Sequence, residues 1–220
     1  MNEFQIHIKS ILDMYKCKSE GDYLVCLPIY NEDGDIEAYL RPITQDYRTT
    51  IKDCAELLSK WRVENPTIST GTFEVTEERT KRWLDKLVVG NDDRIIFMIQ
   101  GLNGHYLGHI GLTSFDATRK EAEIDSVLRG TKNEISGLMK HAMAAIIRWG
   151  QDELQLNHIK LKVFNDNTHA VEFYKKCGFI EEKRLPLVKV SLEDEEKWEI
   201  SADLNLQNAE KYYLEMVLVG

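Results

Sequence analysis

Two carboxylates, Glu123 and Asp125, stand two residues apart in a run, 122–128, whose composition predicts a β-strand. Side chains of a strand alternate between faces, so the two point the same way, and either could take a proton directly or through a water. The chain continues as Val127-Leu128-Arg129-Gly130-Thr131-Lys132-Asn133-Glu134-Ile135-Ser136-Gly137-Leu138-Met139, which predicts a strand entering a loop and then a helix start. Unpaired N–H groups and the positive end of the helix dipole converge at such a junction and suit a pyrophosphate. Arg129 and Lys132 add charge there and Ser136 adds a hydroxyl. A third segment, Asn167-Thr168-His169-Ala170-Val171-Glu172-Phe173-Tyr174-Lys175-Lys176-Cys177-Gly178-Phe179, predicts a compact helix. Asn167 or Thr168 can cap it, Ala170, Phe173 and Tyr174 share a face, the lysines suit its C-terminal end, and Gly178 supplies a left-handed stop. Each segment also has a plain structural use: solvated strand carboxylates, a turn at Arg129-Gly130, and a helix packing its aromatic face into a core.

The third segment resembles the GNAT signature N-x-x-A-x-x-F-Y-x-K-x-G-F at every defined position. The strand before it, His158-Ile159-Lys160-Leu161-Lys162-Val163-Phe164, is similar to the strand that precedes this motif in the family, and a compatible element order extends the likeness over roughly 38–219. The resemblance implies an acetyl-CoA-dependent N-acetyltransferase that transfers the acetyl group directly, in a ternary complex with no covalent enzyme intermediate. It implies that Tyr174 faces the cofactor's sulfur and protonates the departing thiolate. Asn167, Ala170 and Phe173 would line the pantetheine and adenosine side, and the backbone of Val127, Leu128 and Arg129 would pair with pantetheine. Glu123 or Asp125 would deprotonate the ammonium beside the thioester. The family's usual phosphate loop is R/Q-x-x-G-x-G/A, and this chain departs from it. The middle glycine is missing, so Gly130, Lys132, Ser136 and Gly137 are left to hold the phosphates, with Glu134 turned away. Glycine lets backbone approach phosphate closely, and its loss implies a different loop path. The V-L-R-G wording is similar to acetyltransferases of surface-polysaccharide or nucleotide-sugar pathways, which makes an amino sugar the first expected acceptor. Protein or peptide amines and polyamines are the alternatives, and a catalytically silent acyl-CoA-binding module or a CoA-free interaction module are rivals of another class.

The elements that must position these residues read as a mixed α/β order. Runs at 23–30 and 36–43 flank an Asp33-Gly34 turn and predict a hairpin. Ile51, Cys54, Leu58 and Trp61 recur at helical spacing and predict one helix over 48–64, stopped by Pro66. Thr76 caps a second predicted helix, with Glu77 and Glu78 in its first turn, Thr80, Trp83, Leu84, Leu87 and Val88 facing inward, and Gly90 at its end. Strands follow at 94–100, 105–115 and 122–128, then a broadly apolar helix over 136–150 that implies deep burial. A strand at 158–164, the helix at 168–177, and strands at 180–192, 197–203 and 212–219 complete the order, the Glu193-Asp194-Glu195-Glu196 turn separating two of them. The stretch from Phe4 predicts a short helix only weakly. The expected fold is therefore a GNAT-type mixed, mostly antiparallel sheet with helices on both faces. Residues 1–37 form an N-terminal extension with a hairpin, and residues 38–220 the acetyltransferase domain.

At 43% hydrophobic and 30% charged residues, the 220-residue chain falls in the range of ordinary globular domains. Glu3, His7, Lys9 and Asp13 interrupt the first apolar stretch, and no long apolar run follows, so neither a signal peptide nor a membrane span is expected and a cytoplasmic location is. The four cysteines form no C-x-x-C pair, and the histidines no metal-binding spacing, so no metal is expected. A net charge of −9 disfavours nucleic acid and favours a small cationic amine as partner, with a homodimer left open.

Overall fold

The computed structural model describes residues 2–17, 25–66, 71–131, 135–191 and 196–219. The described chain is built from one mixed sheet in the order β1-β2-β4-β5-β6-β7-β10-β8-β9-β3. In chain order the elements are α1 (Glu3–Lys16), β1 (Leu27–Tyr30), β2 (Ile36–Pro42), α2 (Tyr47–Thr50), α3 (Cys54–Glu64), β3 (Gly71–Thr72) and α4 (Glu77–Trp83). There follow β4 (Arg94–Gly101), β5 (Tyr106–Asp116), β6 (Glu121–Arg129), α5 (Leu138–Asp152), β7 (His158–Phe164), α6 (Thr168–Lys176), β8 (Phe179–Ser191), β9 (Glu196–Ile200) and β10 (Lys211–Leu218). Every pairing is antiparallel except β6 with β7, which runs parallel from Glu121↔His158 to Ile124↔Leu161.

One sheet face packs against α1, α5 and α6. Phe4, Ile8, Leu12 and Tyr15 come down on it from α1, and Leu138, Ala142, Met143, Ile146 and Trp149 from α5, all in one apolar cluster with Ile95, Phe97, Ile124 and Leu161. Asn2 and Gln5 close a reciprocal capping box on α1. The α1 pattern that reads weakly in sequence is thus anchored by tertiary contact, with Tyr15 edge-on to Phe97 and Trp149 at 6.1 and 5.0 Å. The other face, over β4 and the end of β6, carries a second cluster of Tyr47, Ile51, Leu58, Trp61, Leu84 and Val88 against Ile96, Met98 and Leu128.

Two expectations are corrected here. The helix expected over 48–64 is two helices, because Ile51 is extended and Asp53 adopts φ 55°. Ile51, Cys54, Leu58 and Trp61 are nevertheless all buried, so the spacing reports the buried face and not the continuity of the helix. The helix capped by Thr76, whose side chain accepts from the Arg79 N–H at 3.1 Å, turns π-helical over Leu84–Val89. That wider winding keeps Leu84 and Val88 inside and leaves Leu87 exposed. The two-residue β3 at the sheet edge has no counterpart in the sequence reading, and residues 192–195 of the acidic turn lie outside the described residues.

Because Trp149 fills the space between Tyr15 and Phe97, Trp149→Ala should lower the unfolding free energy by about 3–5 kcal/mol, read as a shift of the urea midpoint.

Candidate functional site

Strands β6 and β7 are paired at their starts and separate beyond Ile124↔Leu161. Past that point Asp125–Arg129 on one side and Lys162–Phe164 on the other have no shared ladder, and a wedge opens toward the start of α5 and α6. Backbone groups lining such a wedge are free to pair with an extended ligand.

A β-bulge reshapes β6 at the mouth of the wedge. His109 pairs with Leu128 and Gly111 with Asp125, so Ile110 stands opposite both Ser126 and Val127. Ser126 takes up the extra residue at φ 53°. The bulge reverses the alternation: Ala122, Ile124 and Val127 join the first cluster, whereas Leu128 reaches the second. His109 is buried beneath it, with Nδ1–H donating to the Ser126 carbonyl at 2.6 Å and its ring 6.0 Å from that of Trp61. Burial pushes this imidazole down to about 4, so it is neutral, and the bond fixes the proton on Nδ1. The end of β6 is tied back to β5, since the N–H groups of Gly130 and Thr131 both donate to the Leu107 carbonyl, at 2.9 and 3.1 Å. Gly130 is required by closeness, because a Cβ there would overlap the Trp61 indole.

The loop before α5 is only partly described. Lys132 lies outside the described residues, as do Asn133 and Glu134. Ser136 is exposed, and Gly137, at φ 78°, is the residue before α5, which begins at Leu138 and not at Ser136. Arg129 is exposed at the end of β6, whereas Leu128 is buried. A groove of about 350 Å³ runs between α5 and α6, rimmed by Lys140, Arg148 and Lys176 and floored by Met143 and Leu218.

On α6, the Asn167 side chain accepts from the Ala170 N–H at 3.2 Å and caps the helix. Ala170 and Phe173 are half-buried against the first cluster. Tyr174 is 9% exposed, between Phe173 and Phe179. Among the described residues its hydroxyl has no hydrogen-bond partner. Burial raises its pKa, with Asp125 adding to the effect, so the phenol keeps its proton. Tyr213 of β10, stacked on Phe164 at 4.8 Å, is pushed up to about 12 by burial and then by Glu123 and Asp125.

The two carboxylates are not equivalent. Glu123 is in a short ion pair with Lys162 on the neighbouring strand. Asp125 is 3.2 Å from Arg94 and accepts from the Ser126 hydroxyl at 3.1 Å. The site therefore contains Arg94, Lys162, Tyr213, His109 and Trp61, none of which the sequence reading picked out. The alternation Glu121-x-Glu123-x-Asp125 against Lys160-x-Lys162 carried a signal for the ion pairs, since cross-strand charges of opposite sign stabilise adjacent strands.

A family model described as an acetyltransferase (GNAT) domain matches residues 38–180. The chain belongs to the GNAT acetyltransferase family. It is an acetyl-CoA-dependent N-acetyltransferase. No curated protein matches it by sequence at a significant level. Solved structures of similar fold include a chimera of the Vibrio cholerae spermidine N-acetyltransferase SpeG with hSSAT, 14% identical, with a TM-score of 0.58 over 82% of this chain and 95% of that one. They also include the dodecameric form of the Vibrio cholerae enzyme, 13% identical, with a TM-score of 0.58 over 83% and 94% of the two chains. A form of that enzyme in complex with manganese ions is 14% identical, with a TM-score of 0.54 over 83% and 92%. At these identities the likeness is one of fold.

Among the described residues of this GNAT chain no group of three or more His, Cys, Asp or Glu is arranged to hold a metal ion. No helix among them is long and apolar enough to cross a membrane.

Two predictions follow from the mouth of the wedge. Gly130→Ala must move either Trp61 or the end of β6, and should raise KM for acetyl-CoA by about tenfold in steady-state assays, a misplacement penalty of ordinary size. His109 gives stability a distinct acid limb. Its native pKa lies below the ordinary 6.5, so its contribution is complete above pH 6.5 and is lost as pH falls from there toward 4. Between pH 7 and 5 the wild type should lose about 2 kcal/mol more than His109→Asn in parallel urea titrations.

Proposed function

We propose that this enzyme acetylates a primary amine of a small polycationic acceptor of the polyamine kind. The amine attacks the acetyl-CoA thioester directly, with Asp125 as the base and Tyr174 as the acid. The observation that carries this reading is the end of the β6–β7 ladder at Ile124↔Leu161, which leaves Asp125 and the backbone after it unpaired with β7, together with the buried Tyr174 of α6, whose hydroxyl has no partner among the described residues and keeps its proton. An ammonium must lose a proton before its nitrogen can attack, and a thiolate leaves more readily beside a proton donor. Asp125 takes the first proton and Tyr174 gives the second. The nitrogen–carbon bond forms as the carbon–sulfur bond breaks, the second proton shed by the nitrogen as the amide forms passes to water, and the proton held by Asp125 returns to the phenolate, restoring both groups. Backbone N–H groups near Val127 polarise the carbonyl as negative charge grows on its oxygen. Asp125 is preferred to Glu123 because Glu123 lies two residues farther from the bulge and is the closer partner of a lysine.

For the acceptor, the amino-sugar expectation rested on the wording of the loop after Leu128, of which residues 132–134 lie outside the described residues. The polyamine alternative has more support. The solved structures of similar fold named above are spermidine N-acetyltransferases, the chain carries a net charge of −9, and Glu123 and Asp125 flank the point where β6 parts from β7. Arg94 and Lys162 hold those carboxylates in place until a competing ammonium arrives.

Free-thiol release should be seen with acetyl-CoA and spermidine and be absent with glucosamine or nucleotide-linked amino sugars; the reverse pattern removes the acceptor assignment. Tyr174→Phe should lower kcat by about 10²-fold, within the usual range for a lost general acid, with acetyl-CoA binding retained in a thermal-shift titration. Undiminished turnover by that variant would end the acid role.

A further inference from the structure

His109 takes no part in the proton transfers, yet no other histidine of the chain is so deeply placed against the site. We propose that His109 is a positioning residue, whose Nδ1–H bond to the Ser126 carbonyl locks the β6 bulge so that the backbone amides after it face the thioester carbonyl.

Four observations meet at this residue. The register shift between His109 and Gly111 places the bulge directly opposite it. Ser126 holds φ 53°, a left-handed conformation that a non-glycine residue adopts only when its surroundings impose it. The 2.6 Å bond from His109 supplies that imposition by taking up the carbonyl that the bulge turns out of the β5 ladder. Behind the imidazole lies Trp61, which also closes on Gly130, so one indole backs both the histidine and the end of the strand. The side chain thus reaches the amides through the backbone and touches neither acetyl-CoA nor acceptor.

The inference rests on the proposed polarisation of the carbonyl by backbone near Val127, and the test separates the two. In difference infrared spectra with acetyl-CoA labelled at its carbonyl carbon, wild-type enzyme should shift the thioester C=O band to lower wavenumber. His109→Leu should lose that shift and lower kcat by on the order of tenfold or more, part of what a lost oxyanion donor costs, while KM for acetyl-CoA changes little. His109→Asn places an amide N–H near the position of Nδ1 and should restore both the shift and kcat. A wild-type spectrum with no shift defeats the polarisation reading itself. A shift and a kcat that survive in folded His109→Leu defeat the positioning role alone. Should His109→Leu fail to fold, the ¹⁵N spectrum of wild-type imidazole decides: a proton on Nδ1 supports the proposal, and a proton on Nε2 with Nδ1 bare overturns it.

Discussion

The arrangement depends on how short the β6–β7 ladder is. Two parallel strands that paired along their whole length would satisfy each other's backbone and leave nothing to recognise. Here pairing stops at Ile124↔Leu161, and each strand then follows its other neighbour, β6 with β5 and β7 with β10. The divergence is held by both antiparallel partners and by the helices beneath, so the opening is a fixed part of the sheet. The bulge at Ser126 completes it, since it moves Leu128 to the opposite cluster and fixes the end of β6 against Trp61.

Charge on the open face is balanced in a row. Glu121, only 3% exposed, lies between Arg119 at 2.8 Å and Lys160, and Glu215 lies 2.8 Å from Lys183. Buried carboxylates are costly unless paired, and each of these has cations on two sides or close by. The row continues through Glu123 with Lys162 to Asp125 with Arg94, becoming more exposed toward the wedge. Enclosed ion pairs thus grade into accessible ones along a single strand.

Most of the fold was readable in the sequence where a periodic pattern coincided with local capping. β7 and α6 are the clearest case, because alternation, the Asn167 cap and the Gly178 stop, at φ 93°, all point to the same boundaries. The break at Asp53 and the π turn at Leu84–Val89 were invisible, since both keep the buried residues at helical spacing and change only the winding between them. The Tyr174 segment carried its own signature, and the shared face of Glu123 and Asp125 followed from alternation. The roles of His109, Trp61 and Arg94 did not, because each depends on a contact across the sheet or between layers. Trp61 and Gly130, for example, are joined only by the docking of α3 over β5 and β6.

Strand β10 sits in the sheet between β7 and β8, although both precede it in the chain. Among the described residues, strands β8, β9 and β3 are attached to the rest of the sheet only through it. During synthesis, the sheet strands through β7 other than β3 can assemble while β8 waits with a long unpaired edge, and a single late strand then joins both halves. Long-range pairing of this kind is slow and leaves sticky edges open meanwhile. A nascent chain of this fold is therefore most in need of a chaperone in the interval before residues 211–218 emerge.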